Sequence, residues 1–251
     1  MKHKGAVHFL AFFAAIFFFA ISCKKKEDTI SSTTAAYEKT PYDFKVPEGF
    51  PVPDFPDYNS MTVEGVDLGR HFFYDPILSS NGMTCSTCHN PEHSFSSPYF
   101  TTQAGDIISV PHHINLAWKH NYLWNGSVKT LDSLCLDDFG PEFFDTNKDT
   151  LYARLTHSTY YSSMFYKVFD VRNLYSLSYE ELQQKIAYAI TQFMRTLVSH
   201  DTKYEKFLNH HATLTDSEMR GFVIFNTERG DCFHCHGSIL GTDNNYHNTG
   251  L

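Results

Sequence analysis

Basic residues are in short supply in this chain. Its 20 Lys and Arg are outnumbered by 28 Asp and Glu, a formal charge of -8. Nucleic acids are bound by basic faces, so that class of partner is excluded. Strand-like alternation is also scarce, and no internal repeat shows apart from one recurring pentapeptide. The fold expected is therefore mainly α, with long irregular loops in the first half. Charged residues make up 19% and apolar ones 42% of the 251 residues, ordinary values for a globular chain of one or two small domains. An acidic surface can steer a basic partner, although acidity by itself usually serves solubility. Aromatics are plentiful, with 23 Phe and 15 Tyr, enough to enclose a large flat cofactor.

The N-terminus reads as an export signal. Lys2 and Lys4 precede an almost unbroken apolar run over residues 6–21, which closes in Ala20-Ile21-Ser22-Cys23 and then Lys24-Lys25-Lys26. This is similar to a bacterial lipoprotein signal, with Cys23 as the lipidated first residue of the mature chain. An uncleaved anchor is the alternative, but the run is at the lower length limit for a span and contains His8. Both readings place the body outside the cytoplasm, tethered to a membrane. Residues 1–22 are then a signal peptide and residues 23–49 a flexible tether rich in Lys, Ser, Thr and Pro. Pro41, Pro47, Pro51, Pro53 and Pro56 give an extended lead-in, because each blocks a helix.

Two helix starts stand out. Ser178-Tyr179-Glu180-Glu181 is a capping box followed by Leu182, Ile186, Ile190, Phe193 and Leu197 on one face, running to about Val198. Thr215-Asp216-Ser217-Glu218 is a second, opening a short helix through Phe222 and Phe225 that Gly230 should stop.

Of six cysteines, four fall into two copies of Cys-x-x-Cys-His: Cys85-Ser86-Thr87-Cys88-His89 and Cys232-Phe233-His234-Cys235-His236. This is the attachment signature of c-type haem. Two thiols one helical turn apart add to the two vinyl groups of one porphyrin, and the next histidine ligates the iron from below. A zinc site would bring its second ligand pair within about 12 to 20 residues, and a thioredoxin-like site needs a βαβ context. Neither condition is met. Cys135, within Leu131-Asp132-Ser133-Leu134-Cys135-Leu136, reads as a buried structural thiol.

Other segments extend the match. Leu68-Gly69-Arg70-His71-Phe72-Phe73-Tyr74-Asp75-Pro76-Ile77-Leu78-Ser79, Asn90-Pro91-Glu92-His93-Ser94-Phe95, Leu123-Trp124-Asn125-Gly126, Gln192-Phe193-Met194-Arg195-Thr196-Leu197 and Tyr246-His247-Asn248-Thr249-Gly250-Leu251 occur in order around the two motifs. From about Phe50 onward the chain resembles the di-haem cytochrome c peroxidases and their MauG-type relatives. The resemblance implies two cytochrome c-like haem domains, over residues 50–176 and 177–251. It implies reduction of hydrogen peroxide at the first haem, ligated by His89. The second haem, ligated by His236, would receive electrons from a small cytochrome c or copper protein. Trp124 matches a tryptophan placed between the haems. Glu142, in Asp138-Phe139-Gly140-Pro141-Glu142-Phe143-Phe144, is the candidate general acid/base.

Departures from the family pattern are Leu134 in place of a glutamine, Ser127 in place of an arginine, and Val110-Pro111-His112-His113 where Arg-Asn-Thr-Pro is usual. Either His112 or His113 is a candidate removable sixth ligand. A calcium site between the domains is possible but lacks its expected Asn, and a homodimer is compatible with the resemblance. The chain stops at Leu251, within a family-like segment, so the second domain is expected to be truncated. Two alternatives to a peroxidase stay open: a non-catalytic di-haem electron-transfer protein, and a MauG-like oxidase of another substrate.

Overall fold

A computed structural model describes residues 36–101, 105–123 and 125–248 of the chain. The described residues from Tyr37 onward form one compact unit. It is mainly helical, as expected. Its helices are α1 (Val63–Tyr74), α2 (Cys85–Cys88), α3 (Leu131–Asp137), α4 (Lys148–His157), α5 (Thr159–Phe169), α6 (Tyr179–Arg195), α7 (Lys203–Leu208), α8 (Asp216–Phe225) and α9 (Phe233–His236). An antiparallel hairpin of β1 (Ser97–Thr101) and β2 (Ile107–Val110) interrupts them. Its register breaks between Ser97 and Phe100, so it leaves no clean alternation in the sequence.

The centre of the fold is the pairing of α1 with α6. Thr62 caps α1 by accepting from Gly65 N, and the helix buries Leu68, Phe72 and Phe73 completely. At the start of α6 the expected capping box forms: Ser178 N donates to Glu181 at 2.8 Å and Glu181 N to Ser178 Oγ at 3.2 Å. Leu182, Ile186, Ala187 and Ala189 are fully buried along it. The two helices meet backbone to backbone, since a Cβ on Gly69 would lie 1.8 Å from the Ala189 carbonyl oxygen. Because α6 begins just past the boundary expected at residue 176, that boundary crosses an extensive helix contact.

A buried polar network fastens this pair to α3. Asp132 receives hydrogen bonds from Asn59 (2.7 Å) and Thr191 (2.5 Å) and pairs with Arg195 at 3.2 Å. Both charged side chains are at most 5% exposed. Gln192 accepts from Thr62 N and donates to Asn59. Buried charges persist only when paired and hydrogen-bonded, and this set meets that condition. Cys135 is buried beside Met194, as its apolar setting suggests.

Of the tether expected over residues 23–49, the described part from Tyr37 on is docked on the fold. Tyr37 and Thr40 donate to the Glu64 carboxylate, Tyr42 N donates to Met61 O, and Asn209 donates to Glu48 O. A buried carboxylate on α1 therefore holds residues 37–40 of the segment. The expected signal peptide and Cys23 lie outside the described residues. Among the described residues no helix is long and apolar enough to cross a membrane.

The helix at Thr215 ends at Phe225 with Asn226 as its cap, ahead of Gly230. The chain then carries Ile239 and Leu240 onto a small cluster of Phe50, Ala117 and Trp118.

The backbone contact at Gly69 sets a test. Gly69→Ala forces the helices apart and should cost about 1–3 kcal/mol or more, the usual range for overpacking. Gly221→Ala, in open space on α8, should stabilise by up to about 1 kcal/mol. Denaturant midpoints of the two variants check this, and equal effects would refute the close-approach argument.

Candidate functional site

The first motif is built directly onto α1. Asp75 ends that helix and caps the 3-10 turn Pro76–Leu78, and Thr84 then caps α2. One turn of α2 separates Cys85, 8% exposed and part of the main core, from half-buried Cys88. His89 follows as the C-cap, its N–H donating to Cys85 O at 2.9 Å. The chain then doubles back through Ser94 and Phe95, both at positive φ. This brings Phe95 O to 3.3 Å from His89 Nδ1. A carbonyl only accepts, so the proton sits on Nδ1 and Nε2 presents a lone pair, the form a metal binds. Burial lowers the pKa of His89 to about 4, against the opposing pull of the Phe95 and Pro111 carbonyls. The imidazole is neutral at pH 7.

His113 lies against it. The rings stack at 3.4 Å between centroids and 19° from parallel. His113 N donates to Phe95 O at 3.1 Å, so one carbonyl serves both residues. Phe73 meets the His113 ring edge-on at 6.0 Å. Burial first, and the His89 neighbour second, push the His113 pKa well below the ordinary histidine value. Its Nδ1 is sealed from solvent without a hydrogen-bond partner. His112 is exposed.

The second motif repeats the local arrangement. Cys232 caps α9, Cys235 lies within it, and His236 Nδ1 is 3.0 Å from Gly241 O. Here too Nδ1 faces a backbone carbonyl. The surroundings differ, since His236 is exposed and both cysteines are half-buried. In both places the donor set fits a covalently attached c-type haem: two thiols one turn apart, then an imidazole in the ligating tautomer. Among the described residues, a separate trio of potential metal donors, Glu228, Asp231 and His234, lies exposed beside the second motif.

The acids of the first site are carried by the turn that follows α3. Phe144 N donates to Asp138 O, Asp145 N to Gly140 O and Thr146 N to Phe139 O. The turn is tied to the segment leading into the first motif. Ser80 N donates to Phe144 O (2.9 Å), Asn81 to Phe143 O, and Thr146 Oγ1 to Leu78 O. Within it Glu142 is exposed, whereas Phe139 and Phe144 are buried. Burial first, and the Asp138 carboxylate second, raise the pKa of both Cys85 and Cys88. Burial, with a smaller push from Asp137, lifts its own pKa to about 7. The sequence offered Asp138 among several acids, but nothing local marked it as the one burial perturbs.

Trp124 lies outside the described residues. Its neighbours do not: a Cβ on Gly126 would fall 2.5 Å from the Tyr246 ring, and Tyr246 OH donates to Leu123 O at 3.4 Å. The loop that carries Trp124 is thus held against the segment following the second motif. Leu134 is half-buried on α3.

Comparison with known proteins agrees with this geometry. A family model described as di-haem cytochrome c peroxidase matches residues 63–213. The methylamine utilization protein MauG of Methylophilus methylotrophus is 30% identical over 83% of this chain and 62% of its own length. Cytochrome-c peroxidase IdrP2 of Denitromonas iodatirespirans is 27% identical over 78% of this chain and 53% of its own. Among solved structures, a MauG-like protein associated with microbial copper homeostasis superposes with a TM-score of 0.72 at 28% identity. That superposition covers 82% of this chain and 61% of the other. The chain thus spans between half and two thirds of the length of these relatives.

Asp138 sets a pH test. Its folded pKa of about 7 lies above the ordinary 3.8, so the folded protein holds a proton that the unfolded chain releases. Its contribution to stability is therefore lost as pH rises from about 4 through 7. Asp138→Asn removes the titration. Measured by denaturation of the haem-loaded protein, the variant should lie within about 1 kcal/mol of the parent at pH 4.5 and exceed it by a few kcal/mol at pH 8. An unchanged difference between the two pH values would show that the carboxyl is not buried.

Proposed function

The chain belongs to the di-haem cytochrome c peroxidase family, and we propose that it reduces hydrogen peroxide with two covalently held c-type haems. One peroxide takes up two electrons and two protons, its O–O bond breaks, and two waters leave. The electrons come singly from a small cytochrome c or copper protein, so a second haem that stores one equivalent completes the pair. The observation that carries the reading is the matched pair of imidazoles. His89 and His236 each follow two cysteines, and each turns Nδ1 to a backbone carbonyl.

When bound, haem supplies an iron that activates peroxide and exchanges single electrons. The chain's own residues do the rest. His89 holds the peroxidatic iron and His236 the electron-receiving one. Trp124 lies on a loop held against the second-motif segment, which supports a place between the two. Phe73 packs against Phe95 and His113 at the first site, and electrostatic interactions gain strength where such packing excludes water. We assign proton handling to Asp138, because its turn is tied by hydrogen bonds to the segment leading into the first motif and burial raises its pKa to about 7, where a shuttle works best. Glu142, the acid the resemblance singles out, is exposed and serves as the comparison. A lipid on Cys23 and a place in the periplasm or cell envelope complete the proposal.

A second reading, oxidation of another organic or protein substrate, is favoured by the identity to a protein named for methylamine utilization.

Expression with a c-type maturation system should give two haems per chain that resist acid-acetone extraction. Replacing Cys85 and Cys88 with Ala should remove one of them. Mixed with peroxide and reduced cytochrome c, the protein should oxidise the cytochrome, and His89→Gly should abolish this. Asp138→Asn should lower turnover by roughly a hundredfold to ten-thousandfold with both haems retained, and Glu142→Gln should have a much smaller effect. Should Glu142→Gln cause the larger loss, the assignment passes to Glu142. Absence of peroxide-dependent oxidation in the parent would leave the oxidase or the electron-transfer protein.

A further inference from the structure

We propose that His113 is a positioning residue for the iron ligand of the first haem, lying on the same side of the iron as His89. The inference rests on reading His89 as that ligand. Two imidazoles bound to one metal from opposite faces hold their donor nitrogens about 4 Å apart, at roughly 2.0–2.1 Å each, with ring centres farther out. Rings whose centres are 3.4 Å apart and 19° from parallel leave no room for a metal between them. His113 therefore does not cap the far face from this position.

The arrangement instead makes the two rings one unit. Phe95 O receives His89 Nδ1 and the His113 backbone N–H together. Phe73, fully buried on α1, packs edge-on against His113. His89 cannot rotate about its side-chain axis without displacing a ring that is itself packed. Its Nδ1–H is thereby kept on the Phe95 carbonyl, the kind of contact that raises the basicity of a metal-bound histidine. A flat ring suits this slot, and the buried Nδ1 of His113, which lacks a partner, is tolerated for the sake of the shape. A leucine would lack the plane.

The test uses the haem-loaded full chain with His113→Leu and His113→Phe. Both should retain two haems. In His113→Leu the iron–histidine stretching band of the first ferrous haem should broaden and shift, and that haem's midpoint potential should rise, because a less firmly hydrogen-bonded ligand donates less charge. The second haem should not move. His113→Phe, a flat ring without nitrogens, should return both readouts most of the way to the parent. The proposal fails if His113→Leu leaves band and potential unchanged, or if the Phe variant shifts them as far as Leu does. It also fails if His113→Leu abolishes a six-coordinate low-spin signal, which would make His113 a ligand from the far face. If replacing Cys85 and Cys88 leaves the haem content of the parent unaltered, the haem reading fails and this inference with it.

Discussion

Everything at the first site is hung from the line where α1 and α6 touch without side chains between them. Gly69 lets the Ala189 carbonyl come closer than any Cβ permits, and that approach fixes the axial position of α1. The register is set beside it by Gln192, which satisfies Thr62 N and Asn59 at once. The buried Asp132–Arg195 pair then ties α3 to α6. Removing one partner of such a pair commonly costs about 3–5 kcal/mol, because the other is left as an uncompensated buried charge. Its role is orientation as much as stability: α3 ends where the Asp138 turn begins, and α1 carries Phe73 to the histidine stack.

The two Cys-x-x-Cys-His motifs show how far local chemistry reaches and where it stops. Both place the histidine at or beside a helix end, and both supply a carbonyl five or six residues later for Nδ1. That much is a property of the pentapeptide and the turn behind it. The surroundings are not. His89 is enclosed and held neutral well below pH 7, whereas His236 is exposed. A site closed to water strengthens every electrostatic interaction inside it.

Local features were legible in the sequence, and features made by distant contacts were not. The capping boxes at Ser178 and Thr215 needed only four residues each, and both form. Thr202-Lys203-Tyr204-Glu205 carries the same signal and forms a third box before α7, so that helix was readable as well. The β1–β2 hairpin was not, since its register shift removes the alternation that marks a strand. The docked part of the expected tether depends on Glu64, a residue of α1 far along the chain. His112 and His113 were equivalent in sequence, and only the fold separates an exposed ring from a stacked one.

The acids make the same point in chemical terms. A proton-handling carboxyl needs nearness to the reacting atoms and a proton affinity close to the working pH, and neither depends on a particular place in a motif. In this chain the turn after α3 is pinned by hydrogen bonds from Ser80 and Asn81, a few residues before Cys85. Pinning in that orientation buries Phe139 and Phe144, turns Glu142 to solvent and leaves Asp138 beside the attachment cysteines. Desolvation then does to Asp138 what a sequence comparison would have assigned to a glutamate four residues later. A carboxylate in water gains nothing from its position, whereas one withdrawn from water is driven toward its neutral form. The chemistry therefore follows the packing of the turn, and the packing follows from Gly69, Gln192 and Asp132, none of which carries any of that chemistry.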